Sequence, residues 1–230
     1  MTRGALLFSG ILALFCLCSR AQMTKPVVQL PLFKKDSFLI TNFGAKADGI
    51  TLNTASINNA IKACHQKGGG VVVIPSGLWL TGPIEIKSNV NLHLKKNALL
   101  QFTADKAEYP LVKGNWEGLP QMRNQSPLWA TNASNIAITG HGIIDGNGDA
   151  WRMVKKDKLT ETNWKKLVKS GGVLSEDKKI WYPSEQSLKG AGLKNPGEIT
   201  AGKTQEFYES VKDFLRPNLL VFTNCKKSIA

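Results

Sequence analysis

The sequence predicts an all-β fold: a parallel β-helix over residues 37–230, with a capping helix at its amino end and an incomplete carboxy end. Three observations carry this expectation. After Gly70 the chain consists of short β-rich runs separated by Gly, Asn, Asp and Pro. Ser88-Asn89-Val90-Asn91-Leu92 is echoed by Ser134-Asn135-Ile136-Ala137-Ile138, and Thr131-Asn132 by Thr223-Asn224. One amphipathic helix precedes all of these runs. Strands that stack rung upon rung bury their inward apolar residues on the rung below, and in-register Asn side chains at the corners can bond along the stack. An antiparallel sandwich is the rival. It calls for Asn-Gly or Asp-Gly hairpins between matched strands, and neither Asp48-Gly49 nor Asp145-Gly146 is flanked by such strands on both sides.

Residues 22–36 read as a loose lead containing Pro26 and Pro31. Ser37 to Phe43 alternates as a strand and meets Gly44, and Asp48-Gly49 makes a turn. Ile57, Ala60, Ile61 and Cys64 then fall at i, i+3, i+4 and i+7, one face of a helix of about three turns. Asn53 or Thr54 can cap its start and Gly68 can end it. Its apolar face has an evident use, to cover the open first rung. Val71 to Ile74 is continuously apolar, so it is expected to be covered on both faces. In the next runs Val90, Leu92 and Leu94 point one way and Asn91, His93 and Lys95 the other, giving one buried and one wet face. Residues 152–215 break the rhythm. They are Lys-rich, carry Trp164, Trp181 and Tyr182, and read either as an excursion that walls a groove or as a disordered basic loop. The β pattern resumes at Leu219 to Phe222, and the chain ends at Ser228-Ile229-Ala230 where another rung is expected. An uncapped apolar rung predicts association or poor solubility in isolation.

At the amino end Arg3 precedes an apolar run from Ala5 to Leu17, followed by Ser19, Arg20 and Ala21. This is a signal-peptide pattern over residues 1–21, with cleavage before Gln22 and a secreted or periplasmic destination. The run is short for a membrane anchor. A lipoprotein would need Cys16 or Cys18, and the bulky Phe15 and Leu17 before them disfavour it. The formal charge is +13, and loss of Arg3 and Arg20 with the signal peptide lowers it by two. So basic a chain favours an anionic partner: nucleic acid, a membrane surface or an acidic polysaccharide. Export disfavours nucleic acid and leaves acidic carbohydrate, with no membrane contact after cleavage. Cys64 and Cys225 lack metal-ligand spacing and read as small apolar groups.

Three segments together resemble the amino-terminal part of the polygalacturonases, glycoside hydrolase family 28. The first runs through Asn42-Phe43-Gly44-Ala45, Asp48-Gly49, Asn53-Thr54, Ala60-Ile61 and Cys64 to Gly68-Gly69-Gly70, Pro75, Gly77 and Gly82-Pro83. The second is Ile138, Gly140, Gly142, Ile144-Asp145-Gly146, Gly148 and Trp151. The third, Arg216-Pro217 with Phe222 and Asn224-Cys225-Lys226, is similar to the rung before the catalytic rungs, above all in bacterial exo-acting members. The resemblance leaves only the 152–215 excursion unmatched. It implies a right-handed coil and hydrolysis with inversion of α-linked galacturonic acid chains in pectin or polygalacturonate. Asp side chains would act as general acid and base, with no metal and no cofactor. The family's Asn-Thr-Asp, Asp-Asp, Gly-His-Gly and Arg-Ile-Lys active-site motifs are missing, so the catalytic residues are expected beyond Ala230 and this chain is expected to be inactive.

Gly140-His141-Gly142 spells one of those motifs, but it runs into Ile143-Ile144-Asp145-Gly146 and matches a structural turn. Asp145, Asn147 and Asp149 imitate the start of a calcium loop, yet Ala150 stands where Gly is required and Lys156 where the closing Glu belongs. They read as turn residues. Gly68 to Gly70 precede a strand, whereas a phosphate loop precedes a helix. Trp151 reads as a packed aromatic. The substrate-binding candidates are Arg216, for a carboxylate, and Trp181 and Tyr182, for a pyranose face. A calcium-dependent pectate lyase and a non-catalytic carbohydrate-binding β-helix are the competing functions.

Overall fold

The computed structural model of the protein describes residues 29–230. The expected signal peptide and the lead up to residue 28 lie outside the described residues. The elements in chain order are β1 (Ser37–Leu39), α1 (Thr54–Gln66), β2 (Gly70–Ile74), β3 (Gly77–Thr81), β4 (Ile84–Glu85), β5 (Val90–Leu94) and β6 (Ala98–Phe102). Then come β7 (Leu111–Trp116), β8 (Leu119–Asn124), β9 (Leu128–Thr131), β10 (Ser134–Gly140), β11 (Ile143–Asp145) and β12 (Val154–Lys155). The last are α2 (Glu161–Lys169), β13 (Val173–Leu174), β14 (Ile180–Tyr182), α3 (Glu185–Ala191), α4 (Gln205–Glu209), β15 (Leu220–Thr223) and β16 (Lys226–Ile229).

Three parallel sheets contain most of the strands: β1-β2-β5-β10-β16, β3-β6-β11 and β4-β9-β15. The chain visits them cyclically, as β2, β3, β4, then β5, β6, β9, then β10, β11, β15, with β16 returning to the first sheet. Each circuit sets its apolar residues beside those of the previous one. Val72, Leu92 and Ile138 pair in the first sheet, Trp79, Leu100 and Ile144 in the second, and Ile84, Leu128 and Leu220 in the third. Six of the nine lie in one buried apolar core, and Ile138, Ile144 and Leu220 of the last circuit pack against it half-buried. Full burial of such a side chain contributes roughly 1.5–3 kcal/mol, so these rows are the main attraction holding the coil.

The corners follow the same register. Gly69, Asn89, Asn135 and Lys227 take equivalent places beside the first sheet, with φ of 103°, 64°, 58° and 49°. Asn135 Nδ2 donates to Asn89 Oδ1 at 3.2 Å, so the corner Asn side chains do bond along the stack. Asn132 and Asn224 both have φ 53°, next to the paired Thr131 and Thr223. The two sequence echoes are thus successive rungs in register.

The apolar face of α1, Ile57, Ala60, Ile61 and Cys64, is buried in the same core as Ile40 and Val72. The expected capping is different. Asn53 precedes the helix with φ −94° and ψ 8° and makes no cap bond, because its backbone is not in the extended conformation that aims an N-cap side chain at the first turn. Its carboxamide accepts from Lys46 N at 2.7 Å and donates to the carbonyls of Lys46, Thr51 and Leu80, and Thr54 Oγ1 accepts from Gly82 N at 2.6 Å. Both residues fasten the turn before α1 to the coil. The first strand is also shorter than expected. Ile40–Phe43 forms a 3-10 turn, closed by left-handed Gly44 donating to Thr41, which buries Ile40.

Two excursions leave the coil between its second and third sheets. Residues 103–127 carry the antiparallel hairpin β7–β8 around Glu117-Gly118, an element the sequence reading passed over. The other lies between β11 and β15. It is an ordered body with a three-stranded antiparallel sheet, β12-β14-β13, and helices α2, α3 and α4, so the disordered-loop alternative is set aside. Thr160, Ser184 and Thr204 cap these helices through their hydroxyls, which gives the Lys-rich sequence defined starting points. The excursions are packed together. Met122 is buried with Tyr208, Val211 and Leu215, and Tyr109 meets Trp151 edge to face at 5.2 Å. Among the described residues no helix is long and apolar enough to cross a membrane.

Candidate functional site

A cleft of about 620 Å³ opens between the two excursions. Trp116 and Arg123 line it from the hairpin, Trp151 and Arg152 from the start of the second excursion, Tyr182 from β14 and Arg216 from the return to the coil. A second hollow of about 270 Å³ lies between the hairpin and the outer face of the third sheet, where Trp129 and Val221 are neighbours in register. Arg123 borders both. No Asp or Glu is among the residues that line either hollow.

Arg123 is the fixed point of this site. Its guanidinium lies over the Trp116 ring, 4.2 Å from the centroid, and Nη2 donates to the backbone carbonyl of Arg216. Nε is buried and has no hydrogen-bond partner. Burial and then the Arg216 guanidinium hold the Arg123 pKa below the usual arginine value. The strand beneath it is pinned by Met122 N donating to Gly197 O at 2.7 Å and Asn124 N donating to Leu215 O at 3.1 Å. Among the described residues Arg152 makes a weak, exposed ion pair with Asp149 at 4.0 Å.

The three candidates from sequence separate. Arg216 is exposed and lines the cleft. Tyr182 lines it too but is mostly buried, as part of the wall. Trp181 points to the opposite face of β14, where its indole N–H donates to Gly171 O at 2.7 Å. Adjacent residues of a strand face opposite ways, so Trp181 and Tyr182 do not stack on the same sugar. Sequence reasoning missed Arg123 and Trp116, which the unassigned hairpin brings to the cleft.

The decoys settle as turns. Asp145 accepts from Gln101 Nε2 at 3.0 Å and from Asn147 N at 2.8 Å, and these bonds lower its pKa, so it is a committed turn carboxylate. A Cβ on Gly140 would lie 1.9 Å from Leu94 O, and one on Gly142 2.6 Å from Leu94 Cβ. Gly-His-Gly is thus dictated by the close approach of two rungs, with His141 exposed beside them. Among the described residues no cluster of three or more His, Cys, Asp or Glu side chains could hold a metal ion.

Residues 38–190 match the family described as rhamnogalacturonase A/epimerase, pectate lyase-like. This match reaches well into the second excursion, which the sequence reading had left unmatched. The chain is 38% identical over 131 residues to an exo-poly-alpha-D-galacturonosidase of Dickeya chrysanthemi, covering 54% of this chain and 21% of that protein. It is 32% identical over 121 residues to a probable polygalacturonase of Vitis vinifera, covering 49% and 25%. Among solved structures, a hyperthermoactive exopolygalacturonase from Thermotoga maritima superposes with a TM-score of 0.59 at 26% identity, over 88% of this chain and 42% of that one. The matched stretches are only a fifth to a quarter of the length of these curated relatives. The chain belongs to the rhamnogalacturonase A/epimerase, pectate lyase-like family.

Proposed function

We propose that the chain is the amino-terminal part of an exported pectin hydrolase that cleaves α-linked galacturonic acid chains with inversion. The observation that carries this reading is an arginine-rich cleft, with no Asp or Glu among its described lining residues, between the two excursions of a coil from the rhamnogalacturonase A/epimerase, pectate lyase-like family. Arginine donors in such a cleft pair with the carboxylates of a pectic chain, and the exposed indole of Trp116 offers apolar surface for a pyranose ring, whereas Trp151 is buried against Tyr109. Inverting hydrolysis needs one carboxylic acid to protonate the leaving oxygen and a second carboxylate to activate water, roughly 6.5–9.5 Å apart. The two hollows supply no acid, so these groups belong on rungs beyond Ala230, and residues 22–230 alone do not cleave. In this reading the coil is right-handed, α1 covers its first rung, residues 1–21 direct export to a secreted or periplasmic location, and the partner is pectin or polygalacturonate.

The test is reducing-sugar release from polygalacturonate. Residues 22–230 are expected to release none, and the complete reading frame that contains them is expected to release it steadily, with no unsaturated product and no loss in chelator. Unsaturated product abolished by chelation would make the protein a calcium-dependent lyase. Pectin binding without cleavage by the complete frame would make it a carbohydrate-binding coil.

A further inference from the structure

We propose that the outer face of the second sheet, β3-β6-β11, is an interface through which two copies of this chain pair about a two-fold axis. This goes beyond the hydrolase reading and stands independently of it. The three outer faces of the coil differ in kind. On the first sheet the outward side chains are polar and satisfy one another: Thr139 Oγ1 donates to Asn91 Oδ1 at 2.8 Å and lies 2.8 Å from His93 Nδ1. The third sheet faces the hollow under the hairpin. On the second sheet Leu78, Leu99 and Ile143 are partners in register, so an aliphatic row runs up the outside of the coil. Leu78 is 37% and Ile143 64% exposed. A face that meets only water is expected to read as the first sheet does, and a contiguous apolar row marks a contact surface.

The edges of the row identify the partner. The strands enter from the side of Lys96 and His141, both exposed, and leave past Gln101 and Asp145. Asp145 accepts from Gln101 and Asn147, and a carboxylate so placed keeps lone pairs for further donors. Donor groups therefore flank one side of the row and a carboxylate the other. A two-fold axis lying in the face and along the row makes the strands of the two copies antiparallel. It sets Leu99 against its own image and brings the Lys96 and His141 edge of each copy over the Gln101 and Asp145 edge of the other. The patch thus complements itself, as an isologous contact requires, and the two aliphatic rows interdigitate as they do between packed sheets.

The experiment is sedimentation velocity over a concentration series of the chain without residues 1–21, the expected signal peptide. Physiological ionic strength screens the like charge of two basic copies. A concentration-dependent dimer is expected. Leu99→Glu is expected to weaken it at least about tenfold, because a charge buried against its own image is both desolvated and repelled, and Leu99→Met is expected to keep it. His141→Glu, which would face Asp145 of the other copy, is expected to weaken the dimer, and His141→Lys to retain it. Thermal melts establish that each variant folds. Where Leu99→Glu does not fold, Leu99→Cys in a Cys225→Ser background decides: on the axis it is expected to form a disulfide with its own image under mild oxidation. A parent that is monomeric throughout overturns the proposal. A dimer that Leu99→Glu leaves intact, or a Leu99→Cys variant that does not cross-link, also overturns it and puts the association elsewhere, as at the last rung. A monomeric parent that binds phosphatidylcholine vesicles through Leu99 would give the face a lipid partner in place of a second copy.

Discussion

Asn124 and Leu215 are joined twice: the backbone N–H of Asn124 donates to the Leu215 carbonyl at 3.1 Å, and its side-chain amide donates to the same oxygen at 2.9 Å. The amide also reaches the Lys212 carbonyl at 2.7 Å. One buried side chain therefore fastens the hairpin to the end of the second excursion, directly behind Arg123. Asn124→Ala is expected to cost about 1–3 kcal/mol in urea unfolding, the range for buried groups left unpaired. Asn124→Asp, which replaces the donor with a charged acceptor facing two carbonyls, is expected to cost more than the alanine variant.

Asn135 serves two purposes at one corner. Its left-handed backbone, φ 58°, turns the rung, and its side chain accepts from Leu32 N at 2.8 Å, donates to Leu32 O at 2.7 Å and donates to Asn89. Asn135→Gly keeps the backbone and loses the bonds, whereas Asn135→Ala loses both. The alanine variant is expected to be less stable than the glycine variant by about 1–2 kcal/mol. Both are expected to speed amide exchange at Leu32, measured by hydrogen–deuterium exchange.

Two glycines of the segment from Ile138 to Trp151 are expected to behave oppositely. Gly140 has φ 107° and no room for a Cβ, so Gly140→Ala is expected to cost more than about 3 kcal/mol or to prevent folding. At Gly148 an added Cβ meets only the flexible Arg152 side chain at 3.7 Å, so Gly148→Ala is expected to stay within about 0.5 kcal/mol of the parent. Thermal melts of the two variants separate these outcomes.

Asp48 carries the clearest pH signature. The Thr51 hydroxyl and the backbone N–H groups of Thr51 and Ile50 lower its pKa from 3.8 to about 2. A depressed carboxylate stabilises the fold above its ordinary pKa, and that contribution is lost as pH falls from about 4 toward about 2. Asp48→Asn is expected to flatten the fall of the urea midpoint in this window and to leave its shape near neutral pH unchanged.

The rungs were legible because a stack makes two demands on the same residues. Val90, Leu92 and Leu94 must face inward, and Asn89 and Asn135 must turn left-handed corners, so the echo between residues 88–92 and 134–138 reports the register itself. Asn53 was misread because a polar residue before an apolar helix serves equally as a cap or as a tie to a neighbouring rung, and only the fold shows the Leu80 carbonyl within reach. The hairpin was missed because Glu117, with φ 51°, occupies a turn position that normally signals itself with Asn or Gly, and the outer half of β7 is exposed on both faces. The cleft was illegible for a further reason. Arg123 and Arg216 are 93 residues apart, and nothing in local pattern records that two excursions from one corner fold against each other.

The measurement that bears most directly on the central claim is proton NMR of the anomer first released when the complete reading frame acts on trigalacturonic acid. The proposed inverting hydrolysis predicts that the new reducing end appears with inverted configuration and then mutarotates, because one carboxylic acid would protonate the leaving oxygen while a second carboxylate activates water on the opposite face. A product released with retained configuration, or one carrying a double bond, would contradict it.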